Sequence, residues 1–381
     1  MKILFYKWQA IMQDDFIDAL EKMGHQLDFI FYSFYDTDKD PFFEKKFRAH
    51  LKEHGYDMVM SFNYFPLLSD LCEEHNLPYV TWVFDSPIPT YHHIENACNY
   101  TFVFDESCLR FLQKMGVQHV YHLPLAVNPA RLDAIQPLPE EEHKYENLIS
   151  FVGTLYENFS IENLMPGLPE YYNGLLHGII DVQQQVYGLD VCTNSIPTPL
   201  QQHILDTYQI SAYKAGNEML RQATCQERIA ILNHLAQQFP VSIYTYSQTD
   251  NQLSPDVRIL PSVSYYHDMP LVFRQSKFNL NITLRTIESG IPARALDIMG
   301  CAGLLVSNYQ PELLQHFIPG EDFLMYENLE DLSAQIAYYA DHEEERQRIA
   351  KNGYEKTKRY HNYDVRLAQM FDILQQELSL A

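Results

Sequence analysis

The sequence lacks the features that mark membrane, secreted and metal-binding proteins. No stretch approaches the ~18 consecutive apolar residues of a membrane-spanning helix. The opening residues, MKILFYKWQAIMQDDF, carry an apolar run that is too short for a secretory signal. None of the six cysteines forms a C-x-x-C pair, so the sequence favours reduced, buried thiols over a zinc or redox motif. We therefore expect a cytoplasmic protein with no membrane span and no metal.

Two common nucleotide-binding motifs are also missing. The absence of G-x-x-x-x-G-K-[ST] argues against a P-loop enzyme, and the absence of G-x-G-x-x-G weakens the case for a dehydrogenase. The D-x-D at Asp36 and Asp38 belongs to a polar loop rather than to a plausible strand end. These absences leave no resident cofactor predicted for this chain.

Positive charge is scarce, because 27 Lys and Arg stand against 50 Asp and Glu and give a net charge of −23. Such a surface repels phosphate backbones, so we do not expect nucleic acid as a partner. A nucleotide could still bind where one helix N-terminus and one or two arginines make a local positive site.

Apolar and aromatic residues are plentiful, at 46% and 13% of the 381 residues. Disordered chains lack such aromatics, and a chain of this length predicts two domains at roughly 100–200 residues each. Most of the aromatic residues must belong to the core. The remainder could line a pocket for a sugar or a base, or contribute to a homodimer interface.

Apolar runs alternate with helical periods along the chain, which predicts an α/β protein with parallel sheets. We assign 1–145 to an N-terminal Rossmann-like domain and 146–360 to a second doubly wound domain. Prolines and glutamates at 129–144 indicate a linker, or else a surface loop within one domain. The segment 160–225 has helical pieces without a clear strand and is interpreted as an insertion. The apolar stripe of 361–381 predicts a helix that packs back on the N-terminal domain.

The strongest candidate site follows a predicted strand, KFNLNIT, in the second domain. A helix N-terminus after this loop can bind a diphosphate through backbone N–H groups, and arginines can neutralise its oxygens. An ordinary strand–loop–helix with a solvent-facing arginine would look the same. The candidates are Arg285, Glu288, Ser289, Gly290, Ile291, Arg294 and Asp297. Tyr246, near the end of VSIYTYS, is a further candidate for contact with a ligand bound there.

A second candidate lies in the first domain, where Asp85 follows the strand of TWVFDSP. A carboxylate at a strand end suits catalysis in a doubly wound domain. Asp85 could instead cap the turn before Pro87. His92 could act as a base or hold a sugar hydroxyl, although a histidine at such a position is more often an ordinary surface or core residue. The charged run DHEEERQRIAKNGYEKTKRY is predicted to be a solvated helical face.

Three C-terminal segments carry a resemblance to a known family: SGIPARALDIMGCAGLLVSNY, PGEDFLMYENLEDL and IAKNGYEKTKRYHNY. They resemble the group 1 glycosyltransferases, specifically the spore-maturation (CgeB-like) branch. The N-terminal SFNYFPLLSDLCEEHNLPYVTWVFDSP, NACNYTFVFD and HLPLAVNPARL resemble the domain that accompanies them. The resemblance covers well over half of the chain but not the insertion. It implies a GT-B fold, with two Rossmann-like domains that face a cleft, and a nucleoside-diphosphate sugar bound to the C-terminal domain without a metal.

The resemblance also implies roles for individual residues. Two glutamates separated by seven residues flank the donor loop in the broader family. The second, which contacts ribose, falls on Asp297, and the first falls on Ser289, next to Glu288. A contact to the donor diphosphate falls on Gly153 and Thr154. The His–Asp pair of related enzymes is replaced by Phe84 and Asp85.

Together these patterns predict transfer of a sugar from a nucleoside-diphosphate donor to a glycan or protein acceptor. The likeness suggests retention, with Asp85 or a nearby histidine orienting the sugar. If the reaction inverts, Asp85 is the natural base. Two alternatives keep the same fold: an epimerase or hydrolase that acts on the donor alone, and a nucleotide-sugar-binding protein without catalysis.

Overall fold

The computed structural model describes residues 1–248 and 252–378 and divides the chain into two compact units. The first unit comprises Met1–Asn128 and the C-terminal segment that begins at Tyr360. The second comprises Pro129–Arg359. No helix within these described ranges has both the length and the apolarity needed to cross a bilayer.

The first unit is built on six parallel strands with helices between them. The central strands are buried along their whole length, as expected for a parallel sheet that is covered on both faces. The order across the sheet is β2-β1-β3-β4-β5-β6, so the chain reverses direction between β1 and β3. The strands are β1 (Lys2–Lys7), β2 (Gln26–Phe31), β3 (Met58–Phe62), β4 (Tyr79–Val83), β5 (Asn99–Val103) and β6 (Val120–His122), and the helices are α1 (Gln13–Lys22), α2 (Pro41–Glu53), α3 (Pro66–Glu74) and α4 (Glu106–Lys114).

The second unit has another six-stranded parallel sheet, in the order β12-β11-β10-β7-β8-β9. Its strands are β7 (Asn147–Val152), β8 (Val241–Thr245), β9 (Val257–Pro261), β10 (Ser276–Asn281), β11 (Leu305–Ser307) and β12 (Leu324–Met325). Its helices are α5 (Pro129–Ala134), α6 (Ile161–Leu164), α7 (Glu170–Gln184), α8 (Val191–Ser195), α9 (Thr198–Tyr208), α10 (Ala212–Ala236), α11 (Asp268–Gln275), α12 (Ala293–Gly300), α13 (Pro311–His316), α14 (Leu329–Asp341) and α15 (Glu343–Tyr360). The two sheets confirm the predicted α/β class with doubly wound parallel sheets.

The connections of the second sheet create a switch point between β7 and β10. From β7 the chain runs outward through β8 to β9, and from β10 it runs outward in the opposite direction through β11 to β12. Loops that leave neighbouring strands in opposite directions open a crevice at the carboxyl ends of those strands, and ligands of doubly wound proteins bind there.

The helical insertion forms a small core of its own beside the second sheet. Its helices α6 to α9 pack with the first half of α10, and the buried apolar residues of this core are Ile161, Met165, Leu168, Leu176, Ile179, Ile180, Cys192, Ile196, Leu200, Ile204, Ala215, Met219, Leu220 and Ala223. The sequence analysis ended the insertion near residue 225, but α10 runs through that point without a break for 25 residues. The same helix therefore serves both the insertion and the sheet.

The second unit begins earlier than the expected boundary at 145. The segment 129–144, interpreted as a linker, contains α5 and a short 3-10 turn. Arg274 donates two hydrogen bonds of 2.8 Å to the carbonyls of Leu132 and Ile135, and Gln275 donates one of 2.9 Å to the carbonyl of Glu141. These long-range bonds attach the proline-rich segment to α11, which composition alone does not reveal.

The last helix, α16 (Tyr363–Leu378), returns to the first unit. The Tyr363 hydroxyl donates to the carbonyl of Met12 at 3.4 Å, and the Phe371 ring stacks on His25 at 4.4 Å between centroids. Leu367, Met370 and Leu374 of the same helix are fully buried, so the apolar stripe of the sequence is a packing surface.

Candidate functional site

A buried arginine marks the switch point of the second sheet. Arg228 projects from α10 and is only 8% exposed. Its guanidinium donates to the carbonyl of Thr154, which follows β7, at 2.5 Å. It also donates to the carbonyl of Ile282, which follows β10, at 2.5 and 3.1 Å. One side chain thus joins the carboxyl ends of the two strands between which the chain reverses.

Arg228 has no ion pair among the described residues: its hydrogen bonds all go to neutral carbonyls, and the carboxylate of Glu227 acts on its charge without a hydrogen bond. Burial lowers the pKa of Arg228 from its usual value; Tyr156 and Glu227 oppose this shift, and the positive charge of Arg294 adds to it. Arginine nevertheless stays protonated in proteins, so the folded chain holds a buried positive charge. A buried charge without a partner is unfavourable, and an anionic ligand at the switch point would offset it.

Sequence reasoning missed Arg228, although the signal was present. The stretch ERIAILNHLA forms the last part of α10, and its buried stripe includes Ile231, Leu232 and Leu235. Arg228 occupies the preceding position of the same stripe, at i−3 and i−4 from the first two. A cation on the apolar face of a helix must have a buried partner or a ligand, and that conflict identifies the residue.

The loop that follows β10 is held rigidly by side chains from the next strand end. The Asn308 side chain accepts from the backbone N–H of Thr283 at 2.8 Å. The Gln310 side chain donates to the carbonyl of Gly290 at 2.9 Å. The Ser289 hydroxyl donates to the fully buried carboxylate of Glu312 at 2.7 Å. The predicted donor loop is therefore preorganised.

Arg285 has a different environment from the one expected. Its guanidinium forms a buried ion pair with Glu227 at 2.8 Å and donates to the carbonyls of Val186 and Gln184 at 2.9 and 3.0 Å. The ring of Tyr187 lies 3.6 Å from the guanidinium carbon, and the Tyr187 hydroxyl donates to Glu227 at 2.5 Å. Arg285 thus fastens the loop to α10 and the insertion, and its donors are turned to protein groups instead of phosphate oxygens.

Arg294 and Asp297 lie on α12, directly after the loop. The helix begins at Ala293, directly after Pro292, and no side chain caps its N-terminus. The carboxylate of Asp297 is buried and accepts from the Tyr265 hydroxyl at 3.0 Å and from Arg294 at 3.4 Å. Arg294 keeps 27% of its side chain exposed, so its charge is accessible beside this N-terminus.

The remaining donor-site candidates of this unit occupy distinct environments. Thr154 and Ser247 join the ends of β7 and β8 through their hydroxyls at 3.0 Å. Gly153 directly precedes Thr154, and its backbone N–H donates to the carbonyl of Tyr244. Tyr246 leaves the end of β8 with 76% of its surface exposed.

Two more candidates belong to the loop after β10. The side chain of Ile291 is fully buried and serves packing. Glu288 lines a small cavity next to Arg285 and Gln310. The structure therefore gives the loop one packing residue and one acidic residue at a cavity wall.

In the first unit, Asp85 is positioned by its neighbour at the end of β3. The Asn63 side chain donates to the Asp85 carboxylate at 2.7 Å and accepts from the backbone N–H of Phe84 at 2.9 Å. Asn63 itself adopts a left-handed backbone with φ of 59°, a conformation that asparagine tolerates better than most residues. His92 has another partner, Asp38, at 3.4 Å, and 68% of its side chain is exposed.

Glu141, His267 and Asp268 bring three ligand atoms within 4.8 Å of one another, a spacing that a metal ion could use. These groups already have protein partners. His267 and Glu141 are 3.1 Å apart, and Asp268 accepts from the Tyr145 hydroxyl at 2.7 Å. Through these contacts the group joins α11 to the segment before β7.

The sequence matches a family model described as glycosyl transferase-like over residues 219–372, which is less than half of the chain. A search of curated proteins with the sequence finds no match. The fold resembles that of sucrose-phosphate synthase from Thermosynechococcus elongatus, with a TM-score of 0.61, 11% identity and full coverage of both chains. It also resembles a glycosyltransferase from Rickettsia africae, with a TM-score of 0.58, 11% identity and coverage of 100% of this chain and 99% of that one.

A further similar structure is the Anabaena protein HepE in complex with UDP and glucose, with a TM-score of 0.56, 10% identity and coverage of 99% of this chain and 100% of that one. These relationships confirm the predicted fold, which is GT-B. Arg228, the loop after β10, Arg294 and Asp297 all lie within the segment that matches the glycosyl transferase-like family.

Proposed function

We propose that the protein is a glycosyltransferase whose donor is a nucleoside-diphosphate sugar bound by the second unit. The observation that carries this proposal is the buried guanidinium of Arg228, which has only carbonyl acceptors and lies at the switch point of the second sheet. Its position within the glycosyl transferase-like segment supports a sugar nucleotide over other anions. Because the similar HepE structure contains UDP, a uridine nucleotide is our first choice of donor.

The diphosphate would be bound by Arg228, by Arg294 and by the uncapped N-terminus of α12. Negative charge grows on the diphosphate as the bond to the sugar breaks, so donors that already point at it lower the barrier. Rigid attachment of the loop through Asn308 and Gln310 supports this role, since the groups need no reorganisation during the reaction.

The sugar and ribose contacts follow from the family resemblance. We propose that Asp297 takes the ribose hydroxyls, that Glu288 contacts the sugar, and that Gly153 and Thr154 approach the diphosphate. Ser289 would then act through Glu312 to hold the loop. We propose more specifically that the protein is a metal-independent, retaining hexosyltransferase of the CgeB-like branch and that its acceptor is a glycan or a protein.

A thermal-shift experiment tests the donor class. Wild type should be stabilised by UDP or by a UDP-sugar, by roughly 2.7 kcal/mol at a hundredfold excess over the dissociation constant. Arg294→Ala should lose most of this shift, because it removes an accessible charge next to the N-terminus of α12. Arg258→Ala removes an equal charge from an exposed position on β9 and should behave as wild type.

The outcomes separate the possible functions. A panel of other nucleoside diphosphates and their sugars serves to identify the base. If no nucleotide changes the melting temperature of the wild type, the donor site is wrong. Sugar release without any acceptor would instead indicate a hydrolase, and tight binding without turnover across an acceptor panel would indicate a binding protein.

We propose Asp85 as the residue of the first unit that assists transfer. Asp85→Asn keeps the size of the side chain and its contact with Asn63 but removes the charge. We expect transfer to fall by about 10²- to 10⁴-fold if Asp85 is a general base, while UDP binding is retained. Asp70→Asn, which alters an exposed carboxylate paired with His93, is the matched control.

The two readouts for Asp85 are UDP release with an acceptor panel and the anomeric configuration of the product by NMR. A retained anomer together with a smaller loss would assign Asp85 to orienting the sugar. Unchanged transfer in Asp85→Asn would remove this residue from the mechanism.

A further inference from the structure

A second concave site lies on the second unit, on the face of α15 that the sequence analysis assigned to solvent. Arg346, Ala350, Lys351 and Tyr354 follow one another along this face and line a pocket of about 280 Å³. The opposite wall comes from the end of α11, the start of β10 and the turn that precedes β11. The charged helix is therefore not a uniformly solvated surface.

The lining of this pocket is strongly basic. Four of its residues are cations, namely Arg274, Lys277, Arg346 and Lys351, and no described residue that lines it is acidic. The whole chain has only 27 Lys and Arg and a net charge of −23. A concave site with four cations creates a local positive potential against that background and attracts anions.

One carboxylate outside the lining offsets part of this charge. Glu343 lies 2.5 Å from Arg346 and 3.7 Å from Lys277. The hydrogen bond from Arg346 is the main reason that the pKa of Glu343 falls to about 2. Arg274 donates to backbone carbonyls at the end of α5, and these neutral acceptors do not cancel its positive charge. The side chain of Lys351 is exposed. A second carboxylate, Asp133, accepts from the Tyr354 hydroxyl at 2.7 Å and is itself paired with Lys358 at 3.0 Å, so the four cations keep a surplus of positive charge.

This basic pocket is separate from the proposed donor site. Its sheet residues, Ser276 and Lys277, begin β10, whereas Arg228 contacts the carbonyl of Ile282 just beyond the end of the same strand. A strand of six residues spans about 20 Å at ~3.3 Å per residue. The two sites therefore lie at opposite ends of β10. A ligand of the basic pocket would not compete directly with a nucleotide at the switch point.

We propose that the basic pocket binds a small molecule that carries a phosphate group, as a second site on this protein. Ammonium and guanidinium groups that converge on one cavity suit a phosphate dianion better than a single negative charge. Small-molecule pockets usually span roughly 300–1,000 Å³, so a volume near the lower limit fits a sugar phosphate rather than a dinucleotide. The partly exposed ring of Tyr354 offers apolar surface to the uncharged part of the ligand.

Isothermal titration calorimetry of the full chain tests this site with three probes: glucose 6-phosphate, inorganic phosphate and glucose. We expect saturable binding of glucose 6-phosphate and no binding of glucose. Weaker binding of inorganic phosphate would identify a phosphorylated sugar as the ligand class, and equal binding would identify free phosphate; both results support an anion site. Saturable binding of glucose, or no binding of either phosphate probe, would overturn the proposal.

Variants then locate the binding. Lys277→Gln combined with Lys351→Gln should weaken glucose 6-phosphate binding at least about tenfold, since hydrogen bonds to charged groups are lost. Glu343→Gln should strengthen it, because a competing carboxylate is neutralised. Lys214→Gln, at an exposed position of α10, is the matched control. An affinity that stays the same in the double variant would contradict the location, whatever the result with UDP at the donor site.

Discussion

Replacement of Arg228 by glutamine is expected to weaken binding of the nucleotide donor by about 10- to 150-fold. The variant removes a charged donor from the diphosphate, and hydrogen bonds to charged groups contribute about 1.5–3 kcal/mol each. Lysine at the same position keeps the charge but cannot bridge two carbonyls and an anion at once, so Arg228→Lys should show an intermediate loss. Calorimetry or thermal shift with UDP measures both variants.

The stability of the unliganded protein should change little in Arg228→Gln. Arg228 is buried and hydrogen-bonds only to neutral carbonyls, so glutamine removes the cost of burying a charge, and this gain offsets the lost hydrogen bonds. We expect the melting temperature without nucleotide to change by only a few degrees. Loss of binding with retained stability is the signature of a residue kept for its ligand.

Arg221→Gln is the control for Arg228. It lies on the same helix and is paired with Glu218 at 3.0 Å, with 32% of its side chain exposed. Its removal should leave the nucleotide affinity unchanged. If Arg228→Gln binds UDP as tightly as wild type, or if it simply unfolds, Arg228 is a structural residue and the proposed diphosphate site loses its centre.

Replacement of Glu227 is expected to have the largest effect on stability. Its carboxylate pairs with Arg285 at 2.8 Å and accepts from Tyr187 at 2.5 Å, and both ion-pair partners are less than 10% exposed. Glu227→Gln leaves the Arg285 charge buried without its partner, at a cost of about 3–5 kcal/mol. Denaturant or thermal unfolding measures this loss.

Two further variants test whether the stability depends on the charges of the Glu227–Arg285 pair or only on the space that these side chains fill. Tyr187→Phe removes one hydrogen bond, so about 1–2 kcal/mol should be lost. Glu227→Leu with Arg285→Met removes both charges and should recover much of the loss in Glu227→Gln, because a buried pair contributes little net energy. A Glu227→Gln protein as stable as Arg221→Gln would show that water or another group already compensates Arg285.

The fold was predictable because its signals are local. Apolar runs such as those of β3 and β7 alternate with helices of amphipathic period, and each pattern is contained within about ten residues. The sequence therefore indicated both doubly wound sheets and the helical insertion. The end of the insertion near residue 225 and the start of the second unit differ from the expected boundaries, because a continuous helix and the bonds from Arg274 and Gln275 depend on tertiary packing.

The candidate site was likewise predictable only where its signals are local. Its strand–loop–helix frame, with Gly290, Arg294 and Asp297 in order, could be identified from neighbouring residues. The partners of its arginines could not. Arg285 meets Glu227 across 58 positions and the carbonyl of Val186 across 99, and Arg228 reaches Thr154 across 74.

Composition and periodicity determined by themselves that this chain forms two parallel α/β sheets, because burial of apolar faces follows directly from the spacing of residues. Only the tertiary structure decided which arginine pairs with a carboxylate and which hydrogen-bonds to neutral carbonyls alone. Arg285 and Arg228 are both buried cations near the same strand end, and they differ in whether a carboxylate accepts their hydrogen bonds. That difference arises from distances between remote segments, which the fold alone brings together.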